Sequence, residues 1–211
     1  MYIIAIAGGS GSGKTTFAHK VLKELPQDKA FILSMDSYYL SEPPKEHYTS
    51  TGHPNFDHPE SFDWKLLAKH ISELKMGRSI EMPHYCFKSH RRLEETQTVY
   101  PTPIIIFEGI FSLFDEKIRS LMDLKCFLHV DADIRFTRRL HRDLHERGRS
   151  LDSIMAQYYE TVRPMYQKFL DPQKQYANII IGEETDTAAI VVAARLKEII
   201  AEQSEDLNRE A

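Results

Sequence analysis

Five short apolar runs set the frame of this chain: YIIAIA (2–7), FILSM (31–35), IIIF (104–107), FLHV (127–130) and NIII (178–181). They are continuous rather than alternating, the pattern of strands buried on both faces of a parallel sheet. Between them, apolar residues recur at helical spacing. Phe17, Ala18, Val21, Leu22 and Leu25 mark a helix over 14–25 that Pro26 ends. Leu67, Ile71 and Leu74 mark one over 64–76, with Asp63 as N-cap and Gly77 as stop. Ala132, Phe136, Leu140 and Leu144 form the expected core stripe of a helix over 132–146, and an amphipathic helix over 187–203 follows the last strand. Strands alternating with helices predict an α/β fold: a parallel five-stranded sheet flanked by helices, with residues 1–211 forming one domain. The polar segment 204–211 is expected to fray. Two stretches break the rhythm. Residues 40–60, with Pro43, Pro44, Gly52, Pro54 and Pro59, read as a loop, and residues 79–100 read as a β-hairpin with a charged tip. Insertions of this size in a compact domain are more often functional than idle.

Composition removes several classes of function. The chain has 27 Lys+Arg against 31 Asp+Glu, a formal charge of −4, which argues against a globally basic binder of nucleic acid polymers. No apolar run approaches the roughly 20 residues of a membrane-spanning helix. The opening MYIIAIAGG lacks the basic flank and small-residue cleavage site of a signal peptide. Only Cys86 and Cys126 occur, and with no sign of secretion a reduced, cytoplasmic setting is expected.

The first run leads into GGSGSGKTT, and the first helix follows directly. Gly8, Gly9, Ser10, Gly11, Ser12, Gly13, Lys14, Thr15 and Thr16 satisfy the spacing of a phosphate-binding loop. Glycines let backbone N–H groups curl around phosphate oxygens, and the helix N-terminus adds unsatisfied donors. Lys14 would place a charge on the β and γ phosphates, and the Thr15 hydroxyl suits Mg²⁺. A nucleoside triphosphate site follows, but not yet a reaction.

Ligands in open α/β sheets sit beyond the carboxyl ends of the strands. Asp36 follows the second run and Glu108 the third, so two carboxylates are delivered to the edge that carries the phosphate loop. Phosphoryl transfer needs an acid to organise metal and a group to orient or deprotonate the acceptor. Arg138, Arg139, Arg142, Arg147 and Arg149 crowd one further segment, and Gly148 offers a hinge. A lid over about 138–160, closing on the phosphates, would use these forks. The alternative is a solvated helix face paired with Asp143, Glu146 and Asp152. Aromatic and polar residues gather in the two insertions: Tyr38, Tyr39, NFDHP (55–59, with Phe56 and Asp57) and PHYCFKSHRR (83–92, with Tyr85, Phe87 and His90). Aromatic faces stack on planar rings while polar edges read their substituents.

These pieces carry a resemblance. GGSGSGKTT, MDSYY, NFDHPESFD, P-x-Y-x-F-x-x-H (83–90), EET (94–96), IFEGI, RRLHRDLHERGRS and MAQYYETVRPMYQKF, then P-x-K-x-YA, occur in the order found in the uridine kinase (uridine–cytidine kinase) family. The resemblance implies ATP- or GTP-dependent phosphorylation of uridine, and of cytidine, at the 5′-hydroxyl. It makes Asp36 the acceptor of the hydroxyl proton, and has Thr15 and Glu108 hold Mg²⁺ with Asp36 nearby. It places Asp57 at the ribose hydroxyls with Arg139 and Gln157 close, and Tyr39 and Arg149 at the nucleoside. Tyr85 and His90 fall at the base edge, and Arg142 and Arg147 in the lid. Homotetramers are common in that family. The chain departs from the family at His84 and Cys86, and at GEET (182–185), where acids replace a basic turn near the donor's base. Two other readings use the same loop: a related kinase of pantothenate or a sugar phosphate, and a regulatory NTPase. The first would want more basic residues at the hairpin. The second needs a positioned water rather than a closed acceptor pocket.

Overall fold

The computed structural model describes residues 1–210, with side chains described to Glu205. Seven strands form: β1 (Tyr2–Gly8), β2 (Ala30–Ser34), β3 (Ile80–Cys86), β4 (Arg91–Val99), β5 (Ile104–Glu108), β6 (Leu124–Leu128) and β7 (Ile179–Ile181). The five expected strands pair in parallel in the order β2-β5-β1-β6-β7, and β3 and β4 pair antiparallel as the hairpin. Alternate residues of β1 serve opposite layers, which is why the run is apolar throughout. Ile3, Ala5 and Ala7 pack with Leu33, Phe107, Phe111 and the buried face of α2 (Trp64–Lys75). Ile4 and Ile6 pack with Phe17, Ala18 and Val21 of α1 (Lys14–Glu24) and with Val192, Leu196 and Ile199 of α7 (Asp186–Glu210). Asp63 caps α2 by accepting from Leu66 N–H, and Gly77 adopts φ +75° just beyond its end. Among the described residues no helix is long and apolar enough to cross a membrane, and Cys86 and Cys126 are free thiols.

Three expectations are corrected. The fourth strand of the chain's sheet begins at Leu124, earlier than the run 127–130, because Leu124 and Lys125 pair with Ile4 and Ala5 while the chain past Leu128 turns toward the next helix. The closing helix α7 runs past the expected 187–203 to Glu210, and Ala211 lies outside the described residues. The third correction concerns α4 (Ala132–His145), which does not bury the stripe Ala132, Phe136, Leu140 and Leu144. Its buried residues are Arg135, Arg139 and Asp143, while Leu144 is exposed and Phe136 packs on Tyr158. Polar partners on the phosphate loop hold this charged face inward, and that contact outweighs the apolar periodicity.

Between β5 and β6 lies the short α3 (Glu116–Ser120). After α4 come α5 (Leu151–Gln157), a π turn (Tyr158–Val162), the brief α6 (Arg163–Met165), a second π turn (Tyr166–Leu170) and a 3₁₀ segment (Asp171–Tyr176). Widened turns of this kind recur at functional sites.

Candidate active site

The loop from Gly8 to Thr16 leaves β1 at the carboxyl edge of the sheet and opens α1. Gly11, at φ +81°, crosses so close to α4 that an added Cβ would lie 2.2 Å from the Arg135 carbonyl oxygen. Gly13 caps α1 at φ +90° without a side-chain bond, so the first-turn N–H groups have no capping side chain. Ser10 is half-buried, the Ser12 hydroxyl is enclosed without a hydrogen bond, and Thr15 and Thr16 are exposed on the first turn. Lys14 is buried and donates to the Gly9 carbonyl at 3.1 Å. Burial pulls its pKa down, against the upward pull of Glu108 and Asp36.

Glu108 ends β5 and is 3% exposed. Its Oε1 accepts from the Ser34 hydroxyl at 2.9 Å, and the Thr15 hydroxyl lies beside the same carboxylate. Burial, with Asp36 next, raises its pKa. Asp36 sits two residues past the end of β2 in a 3₁₀ turn (Met35–Tyr38), and burial raises its pKa against Lys14, Arg147 and Arg142. These groups share a cavity of about 80 Å³ with Ser10, Tyr39, Asp57, Phe87, Ile110, Arg139, Arg142 and Arg147. Thr15, Glu108 and Asp36 are all hard oxygen donors, the set Mg²⁺ takes, and their convergence fits that ion.

A larger cavity of about 590 Å³ opens beside the first and shares Tyr39, Asp57, Phe87, Arg139 and Arg147 with it. Phe56, Tyr85, His90, Arg149 and Gln157 complete the predicted set on its walls. His90 stacks on Phe56 with ring centroids 5.2 Å apart and planes 16° apart, and it adopts φ +54° at the hairpin tip. Burial, then Arg149 and Arg147, lowers its pKa, so the imidazole is neutral at pH 7. Among the described residues the enclosed Tyr85 hydroxyl has no hydrogen-bond partner, and Tyr39 is buried against Phe62 and Tyr85. Asp57 Oδ2 accepts from the Thr161 hydroxyl at 2.7 Å and from Gln157 Nε2 at 3.5 Å. Its Oδ1 accepts no hydrogen bond among the described residues.

Of the residues expected at the site, Ser10, Lys14, Thr15, Asp36, Glu108, Arg142 and the nucleoside set line the two contiguous cavities, while Gly8, Gly9, Gly11, Ser12, Gly13 and Thr16 line neither. The arginines depart from the reading as a solvated face: Arg139 is buried and Arg142, Arg147 and Arg149 are half-buried, though the expected pairing with Asp143 is present and Arg138 stays exposed. Arg139, 5% exposed, donates to Ser10 Oγ (2.9 Å) and Gln157 Oε1 (2.8 Å), and Arg149 also donates to Gln157. Arg142, Arg147, Arg149 and Arg139 all lie within ion-pair distance of Asp143. Arg147 lies over the Phe87 ring at 4.1 Å, and burial, with Arg142 next, lowers its pKa. The hinge position Gly148 adopts φ +64°, which favours glycine. Sequence reasoning underrated three residues. Asp143 lies four residues from both Arg139 and Arg147, a visible signal. Phe87 was legible only as packing. Thr161, in a π turn, gave no signal.

Comparisons with known proteins follow the same lines. A family model described as "Phosphoribulokinase / Uridine kinase family" matches residues 3–189. The uridine kinase of Lactobacillus helveticus (strain DPC 4571) is 47% identical over 208 residues, covering 94% of this chain and 95% of that one. The uridine kinase of Brevibacillus brevis is 42% identical over 212 residues, covering 98% and 97%. Among solved structures, D-glycerate 3-kinase from Cryptococcus neoformans overlays with a TM-score of 0.56 at 16% identity, covering 81% of this chain and 79% of that one, a likeness of fold.

Proposed function

The chain belongs to the phosphoribulokinase and uridine kinase family, and from that premise we propose that it transfers the γ-phosphoryl group of ATP to the 5′-hydroxyl of uridine, and of cytidine. The observation that carries the reading is the joining of the two cavities. A chamber walled by aromatic rings and a neutral histidine opens through Tyr39, Asp57 and Arg139 onto the phosphate loop. A nucleoside base in the chamber, its ribose at Asp57 and its 5′-oxygen at Asp36 follow that path. A coupled assay of ADP release across uridine, cytidine, pantothenate and ribulose 5-phosphate tests it. Turnover is expected with the two nucleosides. Turnover on either of the others, or hydrolysis indifferent to uridine, would replace the reading.

In this reading Asp36 takes the 5′-hydroxyl proton. Lys14 and the lid arginines offset charge on the transferring group. Thr15, Glu108 and Asp36 would hold Mg²⁺, which neutralises charge on the donor's β and γ phosphates when bound. The donor's choice between ATP and GTP turns on residues 182–185, where Glu183 pairs with Arg138 at 2.7 Å, and parallel assays with both donors decide it. The reading extends to a cytoplasmic homotetramer in pyrimidine salvage. Exposed Ile179 and Ile180 on edge strand β7, with Ile190 and Val191 on α7, support an interface between copies, and light scattering measures it.

Two predictions concern the nucleoside. Asp57 enters the chamber with one oxygen held by Thr161 and the other open to the sugar. Removing the 2′-hydroxyl leaves that charged oxygen desolvated and unpaired, at about 1–3 kcal/mol or more. 2′-Deoxyuridine is therefore expected to fall below uridine by about 10²-fold in kcat/KM. Asp57→Ala should reduce uridine far more than deoxyuridine; an unchanged ratio would reduce Asp57 to a partner of Thr161 and Gln157. His90 presents one donor and one acceptor nitrogen, suited to the 4-oxygen of uracil and the 4-amino group of cytosine. His90→Tyr is expected to tilt kcat/KM toward cytidine, and an unmoved uridine-to-cytidine ratio would place His90 outside base recognition.

A further inference from the structure

Asp143 lies among the lid arginines and is fully enclosed, at 0% exposure. Four guanidinium groups converge on it. Arg142 reaches Oδ1 through Nε at 2.9 Å and Nη2 at 2.8 Å, and Arg147 Nη1 lies 3.6 Å from the same oxygen. Arg139 Nε and Arg149 Nη1 lie 3.5 and 3.7 Å from Oδ2. The cluster is charged but not saturated. Asp143 Oδ2, Arg139 Nε and Arg142 Nη2 are all enclosed, and among the described residues none has an aligned hydrogen bond. A buried ion pair kept for stability would close those bonds, since each open one carries its desolvation penalty. Meanwhile Arg139, Arg142 and Arg147 also line the small cavity with Lys14 and Thr15, and Arg149 lines the acceptor chamber. The same four cations therefore face one internal anion on one side and the phosphate and acceptor sites on the other.

We propose that Asp143 is a positioning residue of the lid: a built-in anion that keeps Arg139, Arg142, Arg147 and Arg149 converged before phosphates arrive, and that shares them with the phosphates once bound. The proposal rests on the kinase reading above only in what the phosphates belong to. Without the carboxylate the four like charges repel and splay. An incoming polyanion then takes over the carboxylate's task of offsetting that repulsion, so it stabilises a lid that lacks the carboxylate by more than one that has it. With the carboxylate, the arginines are preorganised at the moment of transfer, which is where their effect on rate lies. The i,i+4 placement of Asp143 relative to both Arg139 and Arg147 lets one side chain tie α4 to the segment beyond it.

Asp143→Asn keeps the shape and removes the charge. Inorganic tripolyphosphate is the probe, because it carries the donor's phosphates without base or sugar. Melting temperature is measured for wild type and variant, with and without the probe. The variant is expected to melt lower in its absence, and tripolyphosphate is expected to raise its melting temperature by more than it raises that of wild type. In turnover assays kcat should fall about tenfold or more, while KM for the triphosphate does not rise. Equal shifts in both proteins, or a raised KM at unchanged kcat, would overturn the proposal and leave Asp143 a packing residue. If the variant is recovered unfolded, refolding in tripolyphosphate becomes the readout: recovery supports the internal-anion role and failure overturns it. Since the thermal measurement contains no nucleoside, a failure of uridine as substrate would leave its result standing.

Discussion

Lys14→Ala is expected to lower kcat by 10²- to 10³-fold or more, the scale on which a preorganised charge at a developing anion acts. Two losses combine. The transferring phosphoryl group loses a cation held in a small cavity beside the phosphate loop. Asp36 and Glu108 lose the cation that pulls their pKa values down against burial. Both pKa values are expected to rise further, which disfavours the ionised form that the proposed base needs. The backbone cradle loses only the bond from Lys14 to the Gly9 carbonyl, since Gly11 and Gly13 hold their left-handed conformations independently of the lysine side chain. Melting temperature and uridine binding by calorimetry are therefore expected to stay near wild type while turnover collapses. A variant with near-normal kcat would remove the loop lysine from the chemistry.

What could be read in the sequence divides by the range of the interaction that decides it. The central strands were legible because burial on both faces leaves continuous apolar runs, as in Ile104 to Phe107. The phosphate loop was legible because its chemistry is local: a strand, glycines at positive φ and a helix N-terminus lie within one segment. The face of α4 was not, because its apolar stripe and its charged stripe are both amphipathic signals. Only the approach of the phosphate loop, with Ser10 bonding Arg139 and Gly11 pressed against Arg135, decides that the charged one turns inward. Thr161 lay beyond reach for a similar reason. Its bond to Asp57 joins residues 104 positions apart through a π turn that no composition marks. Asp143 stood between these cases: its spacing from two arginines was visible, but a pairing on a solvated face and one in an enclosed cluster share the same spacing.

Asp36→Asn separates binding from chemistry at the strand end. Asparagine keeps the shape and one acceptor oxygen but cannot take the 5′-hydroxyl proton. Because the transition state of phosphoryl transfer is loose, the base orients the hydroxyl as much as it deprotonates it. A loss of about 10²- to 10⁴-fold in kcat is expected, the range for a positioned general base. The pH profile carries the sharper test. In the wild type, burial raises the pKa of Asp36, and Lys14, Arg147 and Arg142 offset part of the rise. The ionised form is the active one, so the rate should fall as pH is lowered through a pKa above the ordinary carboxylate value. The variant lacks that proton acceptor, so its residual rate should lose this acidic limb. Uridine affinity should change little, since the chamber walls at Tyr85, His90 and Asp57 are untouched. If calorimetry instead shows uridine binding lost together with kcat, Asp36 holds the nucleoside rather than its proton. An acidic limb that persists in the variant would point to Glu108 as the group that titrates. It lines the same cavity as Asp36, and burial raises its pKa as well.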